Sequence, residues 1–150
     1  MSVDWILVAD GSRARVFHLR QAEPPVLATL TTLVHPESRE SRQERESAEP
    51  GRFQMQGGAR TAVEPHTDPQ QLEEVRFAAE VADHLERARQ EHRFDRLIVF
   101  APPRFLGVLR KAWSPLLQQS IVREVDKDFA HETEAQLAER LTPHVAALNA

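Results

Sequence analysis

The first residues of this sequence that could do chemistry are Asp10, Gly11 and Ser12, which follow an apolar N-terminal run. An aspartate at the end of a first strand can hold Mg²⁺, which gives one alternative, a metal-dependent phosphoryl-transfer enzyme using Asp10. Such chemistry needs converging carboxylates, because one carboxylate cannot hold two ions about 4 Å apart. The natural second position, residues 101–103, offers no acid. Asp-Gly is favoured in tight hairpins, so we expect Asp10 and Gly11 to form a structural turn, with Gly11 at positive φ and no metal site.

Neither the histidines nor the standard catalytic motifs point to an active site. The seven histidines are scattered, and Glu80 and His84 form the only carboxylate–imidazole pair at helical i,i+4 spacing. A catalytic zinc needs three protein ligands, so this pair is typical of a helix surface. The sequence contains no cysteine, no Gly-x-Ser-x-Gly elbow, no phosphate-binding loop and no dinucleotide fingerprint. These residues favour a non-enzymatic protein over an enzyme, and we expect no cofactor.

The most unusual local segment is Gln54–Arg60, in which paired glycines are flanked by amides and followed by an arginine. Gly57 and Gly58 allow their backbone to approach a flat partner such as RNA, and Arg60 carries a guanidinium suited to a phosphate. Together with Gln56 they are candidate partner-binding residues. A flexible hinge explains the glycines equally well.

A second group of candidate binding residues consists of Arg104, Arg110 and Lys111, with Trp113 nearby. Such residues suit a small RNA or protein contact, although a solvated helix face is the more common explanation. The net charge of −4 argues against a general nucleic-acid coat, so any RNA contact must be local.

The hydrophobic pattern predicts the elements that position these residues. Apolar, β-branched runs at 3–9, 14–20 and 26–34 predict three consecutive antiparallel strands. After a helix that follows them, the pattern predicts a buried strand at 94–101, a short helix and a strand at 120–126. A final helix is predicted from Glu132 to Leu148, kinked or restarted at Pro143. The predicted fold is therefore an α/β mixed sheet in the order β-β-β-α-β-α-β-α.

The central helix has the clearest signals. Asp68 and Pro69 begin it, as a capping aspartate followed by proline at the first helical position, and it runs to about His92. The face expected to contact the sheet contains Leu72, Val75, Ala79, Ala82 and Leu85. The face of the final helix is expected to contain Ala138, Leu141, Val145 and Leu148.

Between the third strand and this helix, residues 36–68 carry alternating charges and few apolar residues. We expect a long loop there that is at least partly mobile. It is either a solvated linker or a segment that orders on a protein partner.

Length and composition predict one globular domain. A chain of 150 residues that is 41% hydrophobic needs neither disulfides nor a structural metal to form a core. The apolar run at 5–9 is too short for a signal peptide or a membrane span. We therefore expect a cytoplasmic protein without membrane contact.

Three stretches, Ile6–Phe17, Pro103–Arg110 and Val125–Asp128, resemble the bacterial family of host attachment proteins. The similarity covers nearly the whole chain. That family is similar in turn to the central domain of archaeal and eukaryotic peptide-chain release factors. The resemblance implies a single ribonuclease-H-like domain over residues 1–150.

In those release factors, a Gly-Gly-Gln loop before the long helix enters the peptidyl-transferase centre of the ribosome. Gly57 and Gly58 lie at the corresponding place, but Ala59 stands where that motif has glutamine. The resemblance therefore implies a domain that binds ribosomes or tRNA without hydrolysing peptidyl-tRNA. A protein partner bound through residues 36–68, with an indirect role in host attachment, is the other alternative.

Overall fold

A computed structural model describes residues 2–35 and 68–148 of the chain. In this part of the chain the elements follow in the order β-β-β-α-β-α-α-β-α. The strands are β1 (Asp4–Ala9), β2 (Arg13–Arg20), β3 (Val26–Val34), β4 (Arg96–Phe100) and β5 (Ile121–Val125). The helices are α1 (Pro69–Gln90), α2 (Pro103–Ala112), α3 (Pro115–Ser120) and α4 (Glu134–Leu148).

The strands form one mixed sheet with the order β3-β2-β1-β4-β5. β1 and β2, and β2 and β3, pair antiparallel, whereas β1 and β4, and β4 and β5, pair parallel. The parallel strands β1 and β4 lie at the centre, which is why every residue of β1 is buried. The prediction of a mixed α/β protein is confirmed.

The ladder between β2 and β3 contains an irregularity near its middle. Val16 pairs with Thr31 and Phe17 pairs with Thr29, so Leu30 is left between the two pairs without an opposite residue. This is a bulge, and it reverses the alternation of side chains along β3.

Helices cover both faces of the sheet. On one face α1, α2 and α3 pack against alternate residues of β1, namely Trp5, Leu7 and Ala9. On the other face α4 packs against Ile6 and Val8. Successive side chains of β1 thus point into opposite cores, as the two-residue period of a strand requires.

The predicted contact face of α1 is wrong for most of its residues. Leu72 and Val75 are 44% and 53% exposed, and Ala79 is exposed as well. The helix instead packs through a stripe centred on Phe77, whose bulky ring is fully buried. The buried residues of α1 are Glu73, Phe77, Ala78, Val81, Ala82, Leu85 and Ala88.

The carboxyl-terminal part of the chain also departs from prediction. α3 was not predicted; Ser114 caps it by accepting the backbone N–H of Leu117 at 3.1 Å, and β5 therefore begins only at residue 121. α4 continues through Pro143 without restarting, and Leu137 takes the buried position expected for Ala138.

The predicted loop over residues 36–68 lies outside the described residues, except for Asp68. The candidate residues Gln56, Gly57, Gly58 and Arg60 lie there too. Asp68 caps α1 by accepting the N–H of Gln70 at 3.0 Å. Across residues 2–35 and 68–148, none of the helices combines the length and the apolar character that a membrane span needs.

Candidate functional site

Four strands end at the same edge of the sheet. β1, β4 and β5 are mutually parallel, and two antiparallel steps bring β3 into the same direction. In open α/β sheets, ligands bind beyond the carboxyl ends of the strands. We call this the carboxyl edge, and it carries the predicted Asp10–Gly11 turn.

Asp10 holds the turn between β1 and β2. Its Oδ1 accepts hydrogen bonds from the backbone N–H groups of Ser12 and Arg13, both at 2.9 Å, and from the Ser12 hydroxyl at 3.2 Å. Its Oδ2 lies 3.2 Å from Nε2 of His131, in the connection between β5 and α4. One carboxylate oxygen is therefore committed to the turn and the other to an imidazole.

Gly11 has a different reason to be glycine from the one predicted. It does not have a positive φ, so the expectation of a left-handed backbone is wrong. A Cβ added at Gly11 would lie 2.7 Å from Oε2 of Glu74 and 3.2 Å from its Cγ. A side chain at residue 11 would therefore require the Glu74 side chain to move, and glycine leaves Glu74 in place over the turn.

Glu74 joins this turn to the helix layer. Its Oε1 lies 3.0 Å from Nη2 of Arg104, in the first turn of α2. The Glu74 side chain is largely buried, whereas that of Arg104 is mostly exposed. The predicted binding residue Arg104 thus has a carboxylate partner that fixes α2 against α1.

His35 lies where β3 reaches the same edge. Its backbone N–H donates to the carbonyl of Ser12 at 3.0 Å, and its buried ring packs on Phe77 at 5.5 Å between centroids. Among the described residues, neither ring nitrogen has a hydrogen-bond partner, and the same holds for Oε2 of the buried Glu73. Glu73 precedes Phe77 by one turn on the buried side of α1.

The other predicted group, Arg104, Arg110 and Lys111, consists of residues with different surroundings. Arg110 donates from Nε to Oε1 of Glu124 at 2.7 Å, while Lys111 beside it is exposed. Trp113 is buried, so its ring offers no open face for stacking. Arg104 and Arg110 therefore link elements through exposed ion pairs, and Lys111 is the one of the three without a carboxylate partner among the described residues.

The helical Glu80–His84 pair lies on α1 without a third candidate metal ligand among the described residues. Within the described ranges, no three histidine, aspartate or glutamate side chains converge to hold an ion. Burial lowers the pKa of His84, and the neighbouring Arg93 and Arg87 lower it further. The imidazole is thus held towards its neutral form.

A buried ion pair closes the opposite edge of the sheet. Asp4 accepts two hydrogen bonds from Arg96, both at 2.8 Å, and one from the Gln21 amide at 2.7 Å. Burial raises the pKa of Asp4, but the hydrogen bonds from Arg96 and Gln21 outweigh it, so the pKa lies below its usual value. A groove of about 580 Å³ opens beside this pair, and His18 and Arg20 also line it.

Sequence reasoning located Asp10 and Gly11 but missed the residues around them. His131 contacts Asp10 from 121 positions away, and Glu74 reaches Gly11 from the other side of residues 36–67. No spacing rule connects such positions, because the sheet and helix packing alone bring them together. Glu73 carried a weak signal, since a glutamate within an apolar helix face is unusual.

Comparison with known proteins points to one family. The family model described as "Protein required for attachment to host cells" matches residues 5–141. The chain is also 28% identical, over 114 residues, to an uncharacterized protein of Rickettsia prowazekii (strain Madrid E). That alignment covers 74% of this chain and 71% of the Rickettsia protein.

Proposed function

Since the chain belongs to the family of proteins required for attachment to host cells, we propose that it acts as a binding module and not as an enzyme. Its proposed partner is RNA, in the ribosome or as tRNA. The contact is made through Gln56, Gly57, Gly58 and Arg60, with Lys111 as a further cation. The protein does not hydrolyse peptidyl-tRNA, because Ala59 replaces the glutamine of the release-factor motif.

The proposal includes a finer description of the fold. We infer a ribonuclease-H-like domain similar to the central domain of peptide-chain release factors. The sheet order β3-β2-β1-β4-β5, antiparallel on one side and parallel on the other, supports this inference. The position of residues 36–67 between β3 and α1 supports it as well, since the Gly-Gly-Gln loop precedes the long helix in those factors.

The observation that carries a binding role is the arrangement of the carboxyl edge around Asp10. Both carboxylate oxygens of Asp10 are occupied by the protein's own groups, whereas phosphoryl transfer would need them for metal ions. The same turn holds His35 through Ser12 and accommodates Glu74 of α1 over Gly11. The chain therefore leaves and rejoins the described fold at one firmly held edge, which suits the presentation of residues 36–67 to a partner.

A protein-interaction module with an indirect role in attachment is the second candidate. It is favoured by the exposed Leu72 and Val75, which lie one turn apart on the outer face of α1. Exposed aliphatic side chains at such spacing suit a protein surface better than a phosphate backbone.

The two candidates can be separated by co-sedimentation with ribosomes and by tRNA binding at several salt concentrations. If the RNA contact exists, wild-type binding is salt-sensitive, and Arg60→Ala weakens it and lowers the salt slope by about one, because one phosphate contact is lost. Arg87→Ala is the matched control, since it removes an exposed arginine from α1. Absence of salt-dependent RNA binding by the wild type would refute the RNA proposal and favour the protein-interaction module.

The same preparations can be assayed for peptidyl-tRNA hydrolysis. We expect none from the wild type. Ala59→Gln is expected to remain inactive too, because one restored side chain does not by itself position the loop for peptidyl-tRNA hydrolysis. Release activity in the wild-type protein would contradict the proposed non-enzymatic role.

A further inference from the structure

Half of the arginines that the structure describes pair with carboxylates of the same chain. Carboxylates partner Arg89, Arg93, Arg96, Arg104, Arg110 and Arg140. Arg123 and Lys127 differ from these, because both are exposed and no carboxylate in the described ranges lies within ion-pair distance of either. Two cations without an ion-pair partner among the described residues thus lie at positions 123 and 127 of a protein of net negative charge.

The register of β5 places Arg123 on the face covered by α4. Arg123 pairs with Ile98 and Val125 pairs with Phe100, and both partners belong to the core beneath α4. Val125 is buried in that core, whereas Lys127 follows it by two residues and is exposed. β5 is an edge strand of the described sheet, so none of the described strands lies beside this group on the side away from β4.

His144 of α4 completes the group. Its ring packs edge-on against Phe100 at 5.4 Å between centroids, which fixes the imidazole beside β5. Burial lowers the pKa of His144, and the charges of Arg123 and then Lys127 lower it further. Both cations are therefore close enough to act on the imidazole, and each contributes a positive potential there.

Other charged side chains lie on the same elements as Arg123, Lys127 and His144. Arg140, one turn earlier on α4, pairs with Glu132 at 3.4 Å and lies over the Phe129 ring. Asp126 and Asp128 flank Lys127 along the chain and are exposed. Glu124 is directed to the other face of the sheet, where it pairs with Arg110.

From this geometry we propose that Arg123, Lys127 and His144 bind a phosphate group of the RNA partner. The inference rests on the proposed function and adds a contact on the α4 face, on the other side of the sheet from Arg104, Arg110 and Lys111 of α2. An arginine fork and a lysine point charge are complementary to phosphate oxygens. A bound phosphate also offsets the positive potential at His144, so protonation of the imidazole and phosphate binding favour each other.

The first experiment uses the full-length protein and inorganic phosphate. The pKa of His144 is measured by NMR with and without phosphate, in the wild type and in Arg123→Gln/Lys127→Gln. Phosphate is expected to raise the pKa in the wild type and to have no effect in the variant. An unchanged pKa in the wild type at saturating phosphate would overturn the proposed site.

The second experiment measures tRNA affinity against salt for the same variant. We expect binding about tenfold weaker and a salt slope reduced by one to two, for the loss of two phosphate-binding cations. Arg76→Gln/Arg87→Gln is the matched control, because it removes the same charge from exposed positions on α1, across the sheet. Asp126→Asn/Asp128→Asn should strengthen binding, since it removes the nearest repelling charges.

The outcomes separate this inference from the proposed function. Wild-type tRNA binding that Arg123→Gln/Lys127→Gln leaves unchanged would overturn the inference and keep the proposed function. A phosphate effect on His144 with unchanged tRNA affinity would mean a site for free phosphate and would overturn the RNA assignment. No tRNA binding by the wild type would refute the proposed function itself.

Discussion

The backbone N–H of His35 donates to the carbonyl of Ser12 at 3.0 Å, so the residue that follows β3 is tied to the turn that follows β1. Asp10 makes this possible, because its carboxylate holds Ser12 and Arg13 in place from inside the same turn. The carboxyl edge is therefore organised around one four-residue turn rather than around any helix end.

We expect Gly11→Ala to destabilise the protein by about 1 kcal/mol, because its methyl group would overpack against Glu74. Adding Glu74→Ala should recover part of this loss, since it removes the side chain that the methyl group meets. Urea denaturation of the two single variants and the double variant measures the coupling. Strictly additive losses would show that the contact with Glu74 is not the reason for glycine.

Asp10→Ala should cost about 1–2 kcal/mol, because the N–H groups of Ser12 and Arg13 lose their common acceptor. Asp10→Asn should cost less, since the amide retains one carbonyl oxygen. Calorimetric titration with Mg²⁺ should give little heat for either variant or for the wild type. Tight Mg²⁺ binding that Asp10→Asn abolishes would instead favour the phosphoryl-transfer enzyme.

Arg96→Met should destabilise the protein by about 3 kcal/mol, because it leaves the Asp4 carboxylate buried without its cation. The double variant Asp4→Asn/Arg96→Met should recover much of this loss, since no buried charge then remains. Thermal and urea unfolding check both values. A double variant as unstable as Arg96→Met would mean that the guanidinium contributes through packing and not through charge.

The pKa of Glu86 is lowered to about 2 from 4.5, chiefly by the hydrogen bonds from Arg89 and also by that from Ser114. Because the folded pKa is below the unfolded one, this contribution is complete above pH 4.5 and is lost as pH falls towards 2. We expect it to amount to about 1 kcal/mol after solvent screening. Glu86→Gln should therefore flatten the pH dependence of the unfolding free energy between pH 4.5 and 2, and equal slopes would contradict the assignment.

The three N-terminal strands were predictable because their β-branched, apolar runs are each ended by a clear turn signal. The face of α1 was not, because apolar residues lie on two sides of that helix, at Leu72 and Val75 and at Phe77 and Val81. Periodicity identifies an apolar stripe but does not rank two competing ones. The stripe that contains Phe77 is the buried one, since burying this aromatic ring removes more apolar surface from water than burying Val75.

The candidate site was predictable only where it is local in sequence. Asp10 and Gly11 form one turn, and their residue types indicate that turn directly. His131, His35 and Glu74 reach it from distant parts of the chain, so their contribution depends on strand register and helix packing. α3 escaped prediction for another reason, because a helix of six residues is too short to show a period.

The bulge at Leu30 has a consequence for how the protein behaves at high concentration. β3 is an edge strand without a single charged side chain, and such an edge is a template on which strands of other molecules can assemble into fibrils. The bulge reverses the side-chain alternation at mid-strand, so a regular foreign strand can match residues 26–29 or residues 31–34 but not both. One unpaired residue thereby divides a nine-residue template into two lengths, each shorter than the segments of about six residues that are typical of fibril cores.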